Sequence, residues 1–467
     1  MISYSQARHI IIEQLGRKRW AASPSAESAA QTLAESVALT RAHGRVLAAE
    51  VVSDRDYPPF DRATRDGYAV RAAEARATEV RATQVRVAET AAELEEKNRP
   101  SGEGHSPANG AGLRVEGEIK AGDTPPEMPG AGGCLRIMTG AALPVGADAV
   151  VMVEYTQREA ELLGGAPGSG LVRFTRNAHA GQNIVPRGSE ARAGQVVLRA
   201  GTRMGYAELA LAAQVGAVEL PCVRKPRVAI LSTGDEIVMV DAAPGPFQIR
   251  NSNAVSLAAQ VRLAGGEPVM VGIAADREAE LQKKIAEALQ ADIVVLSGGV
   301  SMGIYDLVEK VLHGMKAEFF FDAVAIRPGK PAVFAMCEGK PVFGLPGNPL
   351  STMVTFELFV APAIDLYGGA AARALPFVQA ELAEDLNEKP GMTHFLPACV
   401  EWSDGMGNAN NDLAGKIEVG RVRALRWQGS GDIAAMAKAN CFLVVGPEVT
   451  HVSAGAVVPV LLRRDVV

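Results

Sequence analysis

The chain is poor in the features that would place it outside the cell, on nucleic acid or in a membrane. Its five cysteines, Cys134, Cys222, Cys337, Cys399 and Cys441, are scattered, and no Cys-x-x-Cys occurs. An odd, dispersed set is no disulfide framework; it fits small buried side chains in a reducing compartment. The seven histidines, His9, His43, His105, His179, His313, His394 and His451, have no metal-ligand spacing, which argues against zinc. No basic block stands out and the formal charge is −6, so nucleic acid is not the expected main partner. The N-terminus lacks a basic stretch followed by an apolar one, so no secretory signal is expected. No apolar run approaches the ~20 residues of a membrane span. A soluble cytoplasmic protein with no membrane partner is the expectation. A Walker-type lysine loop is missing, as is a Gly-x-Gly-x-x-Gly after a strand. An ordinary ATPase or dinucleotide oxidoreductase therefore has little support.

What the chain does have is apolar content, 48% of 467 residues, enough for about three or four cores. Tyr4 to Arg17 places Ala7, Ile10, Ile11 and Leu15 at helical spacing. Val51 to Ala69 reads as strands and loops. Glu93 to Gly112 is polar and Gly-rich and is expected to be a surface insertion, flanked by strand-like Gln84–Val87 and Leu113–Val115. Gly164–Gly170 reads as a loop. The centre alternates: strand Pro226–Leu231, helix Asn253 to Gly265, strand Pro268–Ile273, helix Glu278 to Leu289, strand Ile293–Leu296, helix Leu307–Leu312. This alternation predicts a parallel sheet with helices on both faces, and ligands outside the carboxyl ends of its strands. From about Leu375, short strand-like runs predict a small all-β domain.

Three loops fall at those carboxyl ends. Ser232-Thr-Gly-Asp-Glu236 carries hydroxyls and carboxylates suited to a hydrated cation and a phosphate. Its alternative is a turn with Asp235 and Glu236 facing water. Asp276 follows the next strand and is either functional or a cap for the helix near Glu278. Ser297 to Asp306 holds Gly298-Gly299 and Ser301, a glycine-rich turn that opens a helix and suits an anion; the alternative is a tight connection. Gly344-Leu-Pro-Gly-Asn-Pro-Leu-Ser351 follows a strand and precedes a helix over Thr352 to Leu366, which Asn348 can cap. Arg327-Pro-Gly-Lys330 offers two cations on a proline-fixed turn, or merely solvated surface charge.

In order along the chain stand Pro59-Phe-Asp61 with Asp66-Gly-Tyr-Ala69, Arg136-Ile-Met-Thr-Gly-Ala141, Gly181-Gln-Asn-Ile184, Ser232-Thr-Gly-Asp-Glu236, Ser297-Gly-Gly-Val-Ser301, Arg327-Pro-Gly-Lys-Pro331, Gly344-Leu-Pro-Gly-Asn-Pro349 and Gly429-Ser-Gly-Asp432. This ordered set resembles the molybdopterin molybdotransferases, the family of bacterial MoeA and the gephyrin E domain. The resemblance covers nearly the whole chain apart from the insertion at about 93–112. It implies an α/β and β multidomain protein. The parts are an elongated N-terminal domain (1–52 and 188–225), an inserted β-rich domain (53–187), a central three-layer α/β domain of the molybdopterin-binding type (226–374) and a C-terminal β-barrel (375–467). It also implies a homodimer, with the cleft completed by the partner's β-rich domain. The implied reaction is Mg²⁺-dependent insertion of molybdate into adenylylated molybdopterin, releasing AMP. Other cofactor-biosynthesis proteins, the molybdopterin adenylyltransferase among them, are implied as partners.

By position, the family's functional acids fall on Asp66, Glu236, Asp276 and Asp306, with Glu236 and Asp306 as Mg²⁺ ligands, and its functional threonine falls on Thr139. The substrate-binding set falls on Ser232, Thr233, Gly234, Asp235, Ser297, Gly298, Gly299, Ser301, Arg327, Lys330, Gly347, Asn348, Ser351 and Ser430. Of these, Arg327, Ser351 and Ser430 are the molybdate-contacting group. The chain departs from the pattern at Arg65, where a Met is usual, at Ala323, where relatives often carry Lys, and at Met392, where many carry Arg. The last two remove cations from the expected oxyanion site and bear on molybdate against tungstate. Competing readings are an adenylyltransferase-like enzyme, which AMP release against ATP consumption separates, and a non-enzymatic scaffold of the gephyrin type.

Overall fold

The computed structural model describes residues 1–21, 34–77, 112–158, 170–298, 307–402 and 420–466. The expected strand Gln84–Val87, almost all of the 93–112 insertion and of the loop 164–170, and the candidate residues Gly299, Ser301 and Asp306 lie outside them. The chain divides into two compact units, one of Met1–Val51 with Leu198–Val467 and one of Val52–Val197.

In the first unit, α1 (Tyr4–Ala21) presents Ala7, Ile11 and Leu15 to the core, one residue per turn of one face. Burying the Ile and Leu side chains contributes roughly 1.5–3 kcal/mol each.

The second unit is built on a six-stranded sheet. Its strands are β1 (Gly67–Val70), β2 (Leu113–Ile119), β3 (Gly133–Ile137), β4 (Ala149–Met152), β5 (Thr156–Arg158) and β6 (Gly170–Phe174). They run in the order β4-β1-β3-β2-β6-β5. Tyr68, Val70, Cys134 and Val151 face one apolar cluster, and Ala69, Leu135, Ile137 and Val150 the other, as a period of two requires.

Returning to the first unit, the central sheet comprises β7 (Arg227–Thr233), β8 (Glu267–Ala274), β9 (Ile293–Ser297), β10 (Glu318–Phe321), β11 (Val333–Cys337) and β12 (Lys340–Leu345), in the order β8-β7-β9-β12-β11-β10. The helices are α2 (Ser252–Ala264), α3 (Glu278–Ala288), α4 (Leu307–Gly314) and a long α5 (Pro349–Tyr367). Val228 and Ile230 of β7 pack with α1, α2 and α5; Ala229 and Leu231 pack with α3 and α4. Alternation along the strand thus produces three layers.

The first four strands in the order are parallel, as expected, but the sheet is not purely so. β12 pairs antiparallel with β11, and β11 with β10. Glu338 and Gly339 have φ of +48° and +76°, the two-residue hairpin connection that reverses the chain. Helix α5 begins at Pro349, three residues earlier than expected, and contains a wider π segment, Phe356–Val360. It is 19 residues long and apolar enough to pass for a membrane span, contrary to the expectation that no such run exists. It is mostly buried, and its ends and faces pack on α1 and α2 as a core helix. Its buried Asp365 accepts from Arg203 Nη2 at 2.8 Å and from Arg373 Nε at 2.9 Å, which ties the segment after Leu198 to the central domain.

The C-terminal strands β13 (Phe377–Leu382), β14 (Thr393–Glu401), β15 (Gly420–Ala424), β16 (Cys441–Val445) and β17 (Val457–Leu462) close on themselves in the order β14-β15-β13-β17-β16-β14. Leu396, Ala398, Val400, Leu443 and Val445 fill the barrel. A short helix, α6 (Ile433–Lys438), is capped by Asp432. The two-residue strand Ile326–Arg327 of the central domain pairs with Thr393–His394, so barrel and central domain share hydrogen bonds.

Candidate functional site

Parallel register brings three strand ends level. Ser232 of β7 pairs with Ser297 of β9, and Thr233 with Ala274 of β8. The turn after β7 is tied to the loop after β8 twice: Gly234 N donates to Ala274 O at 3.3 Å, and Asp276 N donates to Asp235 Oδ1 at 3.2 Å. Ser232 Oγ lies 3.1 Å from Asn251 Oδ1, which also accepts from Ala254 N and caps α2. Asn253 Nδ2 donates to Ser297 Oγ at 2.9 Å and to Gly347 O at 2.7 Å. Gly298 has φ of +97°, and a Cβ there would stand 2.5 Å from Thr233 O. Only glycine permits that approach. Thr233 Oγ1 and Asn253 Oδ1 are buried with no hydrogen-bond partner. Each such orphan costs about 1–3 kcal/mol, a cost that functional sites tend to carry.

Asp276 does not cap its helix. Arg277 holds that position without a side-chain bond, and Glu280 Oε1 accepts from Ala275 N instead. The Asp276 carboxylate faces Asp235 and Glu236. Desolvation first, then those two charges, push its pKa above the ordinary aspartate value. Oxygen donors crowded in this way suit a hard divalent cation, whose charge relieves the repulsion. Among the described residues no group of three or more His, Cys, Asp or Glu is arranged to hold a metal, and Asp306 lies outside them.

The cationic turn lies against α5. Ile326–Arg327 runs beside Thr393–His394, Val324 N donates to Lys330 O, and a Cβ on Gly329 would meet Thr355 of α5 at 2.7 Å. Ser430 O accepts from Leu350 N at 3.0 Å. The turn that carries Arg327 and Lys330 thereby packs on the second turn of α5, and the Ser430 backbone bonds the first turn, which holds Ser351. Arg327 is exposed and Ser351 buried. Asn348 occupies the cap position of α5, but its side chain makes no capping bond; its carbonyl accepts from Thr352 N and Oγ1. Met392 and Ala323 are half-buried on the segments that this pairing brings side by side.

The β-rich unit carries a separate pair. Asp66 Oδ1 accepts from both Thr139 N and Thr139 Oγ1, each at 2.7 Å. These bonds, the backbone one first, hold Asp66 below the ordinary aspartate range. Gly67 beside it has no room for a side chain, because a Cβ would lie 2.0 Å from Val151 O. Arg65 is exposed.

Sequence reasoning missed Asn251 and Asn253. The run Asn-Ser-Asn before an apolar-periodic helix was a legible capping signal for Asn251; nothing local marks Asn253. It also missed buried His394, whose Nδ1 comes to 2.8 Å from Glu388 Oε2 beside the Arg327 strand.

Fold and site together define a multidomain MoeA-type architecture, in which a molybdopterin-binding-type α/β domain is followed by a closed β-barrel. Residues 2–216 match the model of the MoeA N-terminal region (domain I and II), 229–366 that of a probable molybdopterin binding domain, and 379–462 that of the MoeA C-terminal region (domain IV). The chain is 33% identical over 432 residues to the molybdopterin molybdenumtransferase of Nostoc sp., covering 91% of this chain and 88% of the relative. It is 33% identical over 435 residues to that of Bacillus subtilis, covering 92% and 90%. The crystal structure of the molybdopterin biosynthesis MoeA protein from Pyrococcus horikoshii OT3 superposes with a TM-score of 0.70 at 25% identity, covering 99% of this chain and all of that one. The chain belongs to the molybdopterin molybdenumtransferase family, whose curated members are transferases of molybdenum-cofactor biosynthesis.

Proposed function

We propose that this protein inserts molybdate into adenylylated molybdopterin, releasing AMP and leaving molybdenum cofactor. The observation that carries the reading is the crowding of three carboxylates at the ends of β7 and β8. Asp235, Glu236 and Asp276 meet there, and away from them the chain offers Arg327 and Lys330 on a turn packed against α5, with the Ser430 backbone bonded to the first turn of that helix. Glu236 and Asp306, with Asp276, would hold Mg²⁺, which when bound neutralises phosphoanhydride charge. Gly298, at positive φ, brings the end of β9 against Thr233, and the glycine-rich stretch that begins there has the residue types to take a phosphate. Arg327, Lys330 and the serine hydroxyl suit a tetrahedral oxyanion. Asp66, kept ionised by Thr139, is an acceptor fixed in direction.

The same reading makes the protein a cytoplasmic homodimer in which Asp66 and Thr139 of one subunit serve the strand-end site of the other. Its substrate comes from a molybdopterin adenylyltransferase. The deciding experiment is reconstitution with adenylylated molybdopterin, Mg²⁺ and molybdate, measuring AMP release and cofactor formation. Release of AMP that depends on both ions is the expected result. ATP consumption without it would favour an adenylyltransferase, and neither would favour a scaffold.

A further inference from the structure

We infer that Asn253 is a positioning residue that sets the spacing between the two glycine-bearing loops of the strand-end site. The inference rests on the proposed AMP-releasing reaction. Asn253 belongs to the first turn of α2, yet its amide reaches two other elements at once. Its Nδ2 donates to the hydroxyl of Ser297, the last residue of β9, and to the carbonyl of Gly347, in the connection from β12 to α5. The amide orientation follows from the chemistry, because a carbonyl can only accept and so the nitrogen must face Gly347. Oδ1 is left buried and unpartnered. A fully satisfied asparagine would be ordinary packing. One whose two N–H bonds are kept while its oxygen goes without is being held for those two bonds.

What they hold is a narrow gap. A Cβ on Gly347 would stand 3.5 Å from Gly298 Cα, and Gly298 N donates to Leu345 O at 3.2 Å, so the two backbones run nearly in contact. Anything that pushes Gly347 away from Ser297 widens the slot beside which a phosphate would rest. Ser232 is fixed from the same helix by Asn251, so α2 uses two asparagines to fix the ends of β7 and β9. The residue touches no reacting atom in this account; it acts through Ser297 and Gly347.

The test compares wild type with Asn253→Asp and Asn253→Ala. Asn253→Asp keeps the shape and a possible bond from the Ser297 hydroxyl but sets a carboxylate oxygen against Gly347 O. AMP affinity is read by calorimetry, KM and kcat for adenylylated molybdopterin by AMP release, and folding by thermal unfolding. The expected result is AMP affinity at least tenfold weaker in both variants. KM should rise by a similar factor, kcat should change less, and the unfolding temperature should stay within a few degrees of wild type. Ser297→Ala, which removes one of the two bonds, should lose about threefold. Wild-type AMP affinity and KM in folded Asn253→Asp and Asn253→Ala would overturn the inference and leave the reaction standing, as would a loss confined to kcat. A wild type that binds AMP without turnover, with weaker binding in the variants, would sink the reaction and keep the clamp. Neither binding nor turnover in wild type would overturn both.

Discussion

Asp66 and Asp276 are the same residue in opposite predicaments. In the β-rich unit, Asp66 receives two hydrogen bonds from Thr139 and is held ionised below the usual range. At the end of the central sheet, the Asp276 carboxylate receives a bond from the Asp235 backbone alone, is desolvated, faces the charges of Asp235 and Glu236, and is pushed above that range. One carboxylate is finished by its own protein; the other is left with a repulsion that a cation would remove. The difference teaches that a site can be complete as a hydrogen-bond acceptor and incomplete as a charge, and that the incomplete one invites the ligand.

The sharpest way to break that comparison is Glu236→Gln. Removing one carboxylate of the crowded group should lower Mg²⁺-dependent AMP release by about a hundredfold, on the scale seen when one preorganised electrostatic group is lost, with the fold intact by circular dichroism. Normal turnover at limiting Mg²⁺ would show that these acids hold no catalytic cation. Gly298→Ala comes next. The added methyl meets Thr233 O at 2.5 Å from a backbone with φ of +97°, so it should destabilise by about 1–3 kcal/mol and weaken AMP binding. Unchanged thermal unfolding would mean the loop relaxes freely.

The comparison itself is sharpened by titration. The raised Asp276 contributes stability that is present below its unfolded pKa and lost as pH rises through its folded pKa. The lowered Asp66 contributes stability that is present above its unfolded pKa and lost as pH falls through its folded pKa. Thus, between neutral pH and the aspartate range, Asp276→Asn should leave the protein as stable or slightly more so, whereas Asp66→Asn and Thr139→Val should lower its unfolding temperature slightly. Carboxyl-carbon NMR should place the Asp66 midpoint below, and that of Asp276 above, an ordinary aspartate, with added Mg²⁺ lowering the latter. Equal midpoints would remove the contrast. A separate effect, on molybdate alone, is expected at Met392→Arg. A guanidinium beside the Arg327 strand should tighten half-saturation by molybdate by about tenfold or more, the worth of one charge-assisted bond. An identical half-saturation would mean that position 392 does not contact the oxyanion.

Much of the architecture was legible before any coordinates. Ala7, Ile11 and Leu15, or Leu281 and Ile285, declare a buried helical face because periodicity is a one-dimensional property. The ordered motifs, from Asp66-Gly-Tyr to Gly429-Ser-Gly-Asp432, were enough to place the chain in its family. Less legible were features whose partners lie far along the chain. The antiparallel edge of the central sheet hung on Glu338-Gly339, a two-residue turn among many. Asn348 and Asp276 had the composition of caps but not the geometry, because backbone and Glu280 reached the same groups first.

The sequence by itself determined the alternating strands and helices of the central domain from Pro226 to Leu312, that the strand ends carry hydroxyls and carboxylates, and the family. Only the tertiary structure decided how those groups meet. Asp276 feels Asp235 and Glu236 because β7 and β8 lie parallel in a particular register; Thr139 reaches Asp66 across 73 residues of chain; Asn253 joins Ser297 and Gly347 across 44 and 94. Local patterns fix what a residue is and which way its element faces. Hydrogen bonds and charge repulsion depend on ångström-scale distances between elements, and those exist only once the sheet has assembled.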